Sequence, residues 1–260
     1  MTGKLSRTVY VPGTYATRRP GNMELVDLYV KAWESREMAM KATGTQSTAQ
    51  PEISPCICFS RKIGVGALEI ADLVGQQLGT KVTDREVIEQ IANQTAISQK
   101  AVAYFDERFP GYFNRTFKYL FGEKAFIDSD YSRHLFSTVH AMANLAPTIF
   151  VGRGTHLILP RDRIMAVRCI FSDKRRRRRI AGITGMEYDE ARRQLSDMDK
   201  AQAAFFKKVF GKKDAHPSEF DMVLNLDHFG SPSDVADIIV YAFRKKFGDA
   251  VAKTLDRTAA

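Results

Sequence analysis

Short apolar segments alternating with stretches of helical periodicity predict an α/β protein whose parallel sheet is covered by helices on both faces. CICFS (56–60), TIFVG (148–152), IMAVRCIF (164–171) and DMVLN (221–225) read as near-continuously apolar strands, and the brief TKVTD (80–84) as a further one. Between the first two strands, Ile70, Leu73, Val74 and Leu78 recur at helical spacing, so this stretch starts a βαβ unit. The 260 residues are 44% hydrophobic and 27% charged, with a mean hydropathy of −0.27. These values lie in the ordinary globular range, and the chain is long enough to bury a substantial core.

Residues 1–54 differ in texture from the rest of the chain. Two turn-rich stretches, VPGTYATRRPGN and ATGTQSTAQPEISP, flank NMELVDLYVKAWESREMAMKA, where Leu25, Leu28, Val30, Trp33 and Met38 fall at roughly helical spacing. This predicts an appended helix that packs on a neighbouring element or on the partner of a homodimer. Residues 55–250 form the α/β domain, and 251–260 a tail. The last helix of the domain opens at the capping signal Ser231–Asp234 and carries Val235, Ile238, Ile239, Ala242 and Phe243 on one side.

After the first strand, Ser60, Arg61, Lys62, Ile63, Gly64, Val65, Gly66, Ala67 and Leu68 make a glycine-containing turn that runs straight into an amphipathic helix. At such a junction unpaired backbone N–H groups converge at a helix start, where phosphate is favoured; the plainer reading is that the glycines only permit a tight βα turn. Arg153 follows a buried strand and so sits at the carboxyl edge of the sheet, where open α/β folds bind ligands; the alternative is an arginine paired to a structural carboxylate. Asp84 and Arg85 also follow a strand and open a helix, so Asp84 reads equally as an N-cap.

Six segments in order carry a resemblance to the cytidylate kinase-like family of P-loop proteins, over about residues 55–248. They are SRKIGVGALEIADLVGQQLG, VTDREVIEQIA, FVGRGTHLIL, IFSDKRRRRRIAGITG, DKAQAAFFKKVFG and FDMVLNLDHFG. The resemblance implies a doubly wound parallel sheet of about five strands, a helical monophosphate-binding insertion near 84–147 and a helical lid near 173–213. It implies phosphoryl transfer from ATP, with magnesium, to CMP, dCMP or a related monophosphate. On this reading Ser60, Arg61, Lys62, Gly64, Val65, Gly66, Ala67 and Leu68 hold the cofactor, and Arg153 and Arg177, with Asp84 and Arg85 at their strand end, hold the acceptor. Arg153, Arg175 and Arg178 then serve catalysis, joined by Lys200, which can supply charge from another direction.

The departures are specific. A full Walker loop would require glycine at Arg61, lysine at Ala67 and serine or threonine at Leu68, and only Gly66 meets the template. Gly154 stands where wider CMP kinases place an acid, and in the D-x-x-R pattern Asp199-Lys200-Ala201-Gln202 an amide replaces the arginine. These losses raise a second reading, a nucleotide-binding regulatory module with weakened catalysis.

Lys and Arg total 39 against 30 acidic residues, a net charge of +9 that points to an anionic partner. Between Ser172 and Lys213 there are 13 basic and 6 acidic residues, so seven of the nine net charges fall in this stretch. The run Lys174–Arg179 spreads around all faces of a helix, which allows two or three arginines to point inward. RNA binding through this run is a third, weaker reading. No run of roughly 18 apolar residues exists to span a membrane. The start of the chain has no apolar block of the secretory kind, which makes the cytoplasm the expected compartment. Cys56, Cys58 and Cys169 read as reduced core thiols, and the five histidines form no metal-binding pattern.

Overall fold

The computed structural model describes residues 21–43, 53–93, 99, 102–103 and 130–248. The element order is α1 (Asn22–Thr43), β1 (Cys56–Arg61), α2 (Ala67–Leu78), β2 (Lys81–Asp84), α3 (Arg85–Asn93), α4 (Asp130–Leu145), β3 (Thr148–Val151), α5 (Thr155–Ile158), β4 (Ile164–Ile170), α6 (Asp173–Thr184), α7 (Tyr188–Phe210), β5 (Met222–Asn225) and α8 (Pro232–Phe247). Most of the expected monophosphate-binding insertion lies outside the described residues.

All five strands are parallel, in the order β2-β3-β1-β4-β5, with Ile57 opposite both Ile149 and Met165. Successive residues of a strand point to opposite faces, and β1 shows the consequence. Cys56 and Cys58 enter one core with residues of α1, α3, α4 and α7, whereas Ile57 and Phe59 enter the other with α2 and α8. Both faces are covered, which is why the strands need no polar alternation. Chain order turns outward in both directions from β1, so the crevice beyond its carboxyl end is the switch point where such folds place ligands. The loops after β1, β3 and β4 open there.

Helix α1 forms where expected, but its buried stripe is Val26, Tyr29 and Trp33, at i, i+3 and i+7. Leu28 and Met38 point outward at 41% and 71% exposure. Tyr29 is chosen over Leu28 because its hydroxyl reaches the hydroxyls of Thr83 and Thr148 at 3.3 and 3.1 Å, which satisfies all three buried polar groups. The stripe rests on α3 and α4 of its own chain. At the other end of the domain the Ser231 hydroxyl accepts from the Asp234 N–H at 3.2 Å, starting α8.

Candidate active site

The lid begins at Ser172, whose hydroxyl accepts from the Arg175 N–H and whose own N–H is held by Asp227. From there α6 and α7 descend on the phosphate loop, residues 60–68. Ile63 of the loop packs with Ile180, Ala191 and Leu195 in a small apolar cluster. Gly64 and Gly66 have φ of 84° and 87°, a backbone that L side chains rarely adopt. There is also no free room for a side chain: a Cβ on Gly64 would lie 3.2 Å from Ile180, and one on Gly66 would lie 3.2 Å from Arg179 Nε.

Polar contacts lock the same junction. Arg176, 2% exposed, donates from Nε to the Ile63 carbonyl at 2.8 Å, from Nη1 to Asp173 and Asp199, and from Nη2 to Asp199 at 2.7 Å. Gln202 Nε2 donates to the Arg61 carbonyl at 2.9 Å. Two loop carbonyls are thus held by lid side chains, which keeps those acceptors engaged away from any anion bound by the loop's N–H groups. Gln202, at the position where the family pattern has arginine, has a structural task that an amide performs.

Around this junction the described residues line four hollows, three of them large. A cavity of about 470 Å³ lies between β1, β3 and α7 and brings together Ser60, Arg61, Arg85 and Arg153 of the expected site residues. The guanidinium of Arg61 reaches the position of Gly152, so this side chain serves the cavity on the β3 side. Arg153 is the only non-glycine residue with positive φ among those described, at 53°, a conformation that concentrates at functional sites. Its guanidinium lies 4.0 Å over the Phe205 ring and is ion-paired with Glu89, which also pairs with Arg85 at 3.5 Å. Both the ligand-edge position and the carboxylate pairing are therefore realised at Arg153. Gly154, next to it, has φ of 66°, and a Cβ there would lie 2.4 Å from the Phe210 ring. Packing of α7 excludes an acidic side chain at this position.

A second cavity, about 440 Å³, lies on the other side of α6, where Val65, Gly66, Phe171, Arg175, Arg178, Arg179 and Phe229 meet. Arg175 sits 5.9 Å from the Phe171 ring centroid and 3.8 Å from Asp227. The third hollow, an outward cleft of about 960 Å³, collects Lys62, Arg177 and Lys200. Lys200 is 75% exposed and paired with Asp197 at 3.1 Å, and Lys62 lies 3.8 Å from Asp199. Arg177 and Lys200 thus stand apart from Arg153. Asp84 borders the small hollow inside the loop with Gly64 to Leu68, but its Oδ1 accepts from the N–H groups of Glu86 and Val87, the cap that starts α3.

Arg176, Arg179, Glu89 and Phe205 are the members to which sequence reading gave no role, and Asp199 was read only as the start of the D-x-x-R pattern. For Arg176 a signal existed: it lies four residues before Ile180, on the same helical face.

A phosphate-loop α/β protein closed by an arginine-rich lid is the class that this geometry defines. Residues 56–228 match the cytidylate kinase-like family, and the chain belongs to it. Nothing among curated protein sequences matches the chain at a significant level. Among solved structures, an uncharacterized protein from Eubacterium ventriosum ATCC 27560 aligns with 16% identity and a TM-score of 0.58, over 74% of this chain and 99% of that one. It shares the fold. Shikimate kinase from Bacteroides thetaiotaomicron aligns with 15% identity and a TM-score of 0.36, covering 74% of this chain and 96% of that one.

Proposed function

We propose that the chain is a nucleoside monophosphate kinase-like phosphotransferase that moves the terminal phosphoryl group of ATP to CMP, dCMP or a related monophosphate. One observation carries this reading: two cavities flank the phosphate loop at the carboxyl edge of the sheet, each edged by arginines from a different element. Phosphoryl transfer needs two anionic ligands held in line and little covalent chemistry from the protein.

The second cavity suits ATP. Its aromatic and aliphatic wall, Phe171, Phe229, Leu226 and Val235, accepts a base, and Arg175, Arg178 and Gly66 face the phosphates. An orphaned donor, Arg179 Nη1, is buried with no acceptor among the described residues, as an anion site requires. Magnesium has no comparable fit. Leu68 occupies the usual hydroxyl position, and no group of three or more His, Cys, Asp or Glu residues is arranged to hold a metal among the described residues. In the first cavity Arg61, Arg85 and Arg153 would grip the acceptor phosphate, one of whose oxygens bonds to the γ-phosphorus as the bridge to ADP breaks.

A second reading, a nucleotide-binding regulatory module without turnover, is favoured by Ala67 and Leu68 in the loop. Incubation with MgATP and each monophosphate in turn separates the two. ADP release that depends on a pyrimidine monophosphate supports the kinase, and nucleotide binding without ADP release with any acceptor supports the module.

A further inference from the structure

We infer that Arg179, reaching down from α6, supplies at the phosphate loop the cation that the loop itself lacks at Ala67. The inference rests on the proposed ATP site and adds a residue to it. In a Walker loop the lysine after the second glycine reaches the β- and γ-phosphates. Here that position is Ala67, 2% exposed and packed in the core under β1, so no charge originates from it.

The guanidinium of Arg179 comes to the same glycine from above. A Cβ on Gly66 would lie 3.2 Å from its Nε, 3.4 Å from its Cζ and 3.5 Å from its Nη2. All three of the atoms nearest to that Cβ belong to Arg179. Its side chain is 19% exposed, and Nη2 donates to Glu69 at 3.1 Å while Nη1 is buried without an acceptor among the described residues. An arginine donor left in that condition is costly, and an oxygen of a bound phosphate would satisfy it. Glu69, in the first turn of α2 and half-exposed, is then the internal anion that holds Arg179 in place until a ligand competes for it. The arrangement differs from a loop lysine in one consequence: the cation is present only while α6 is seated on the loop.

The sign of two substitutions tests this. Arg179→Gln and Glu69→Gln break the same ion pair, but the first removes the phosphate contact and the second releases it. With ATP, ADP and AMP as probes in calorimetry, Arg179→Gln is expected to weaken ATP and ADP by about 10- to 100-fold, the value of a charge-assisted hydrogen bond, and to leave AMP nearly unchanged. Glu69→Gln is expected to hold or tighten ATP binding. Arg179→Lys keeps the charge without the fork and should fall between wild type and Arg179→Gln. If both glutamine variants lower the melting temperature alike and neither changes ATP affinity relative to a binding wild type, Arg179 is a structural ion-pair member and this inference alone is overturned. If the wild type binds neither ATP nor ADP, the kinase reading falls and takes this one with it.

Discussion

Replacing Asp199 by alanine tests whether the lid is locked to the phosphate loop. Arg176 makes four hydrogen bonds at 2.7 to 2.9 Å, and two of them go to Asp199. The substitution leaves a guanidinium that is 2% exposed with the Ile63 carbonyl and Asp173 as its remaining partners. Removing one partner of a buried pair costs about 3–5 kcal/mol, because the remaining charge stays desolvated. Asp173 is itself a carboxylate and Asp199 is a quarter exposed, so the lower end, about 3 kcal/mol, applies. For a domain of this size such a loss lowers the melting temperature by about 6–12 °C if the domain unfolds as one unit. If the lid opens by itself, it appears as a roughly 150-fold faster amide exchange in α6 and α7. Thermal unfolding with hydrogen exchange reads both. Pairing Arg176→Met with Asp199→Leu should recover most of the loss, since the charges left without a partner, Asp173 and Lys62, are solvent-exposed. An unchanged melting temperature together with unchanged exchange in the lid for Asp199→Ala would refute the lock.

Arg153→Lys keeps a charge for Glu89 but gives up the planar fork and the stacking on Phe205. It is expected to weaken the acceptor, by affinity or turnover, about 10- to 150-fold, with ATP affinity and folding intact. A sharp fall in melting temperature with monophosphate binding unaltered would make the arginine structural. His140 is fully buried, with its ring nitrogen Nε2 against the Ile158 carbonyl at 3.1 Å, and burial pushes its pKa down to about 4 from an ordinary 6.5. The unfolded chain therefore binds the extra proton first, and stability drops as pH falls from about 6.5 to about 4, by on the order of 3 kcal/mol. Burial lowers the pKa of His156 as well, against the opposing pull of Glu219, so it adds to the loss of stability on the acid side of 6.5. Denaturant midpoints across that range should flatten in His140→Gln, and an undiminished slope would assign the acid sensitivity to other groups.

The sheet was legible because strands buried on both faces carry a nearly unbroken apolar pattern that little else produces. All five appear at the expected places. Helix α1 was legible in extent and misread in face. Counting apolar letters favoured Leu28 and Met38, whereas the polar tip of Tyr29 decides which side can be buried against Thr83 and Thr148. The lid shows the same limit more sharply. Five adjacent arginines are identical as letters, and only the crossing of α6 over the loop separates Arg176, neutralised in the interior, from Arg175 and Arg179 on the cavity side and Arg177 on the outer cleft. Gln202 and Gly154 read as losses against the family pattern. In three dimensions the amide is a strut on the Arg61 carbonyl, and the glycine is demanded by its φ and by Phe210. Ala67 and Leu68 remain departures for which the loop itself offers no replacement.

Phosphoryl transfer between the two cavities is tested most directly by the fate of the terminal phosphate of ATP. With γ-labelled MgATP and CMP or dCMP, label is expected in the nucleoside diphosphate, formed in step with ADP and reduced in Arg153→Lys. Label that stays in ATP with every monophosphate, or that is released only as inorganic phosphate, would contradict it.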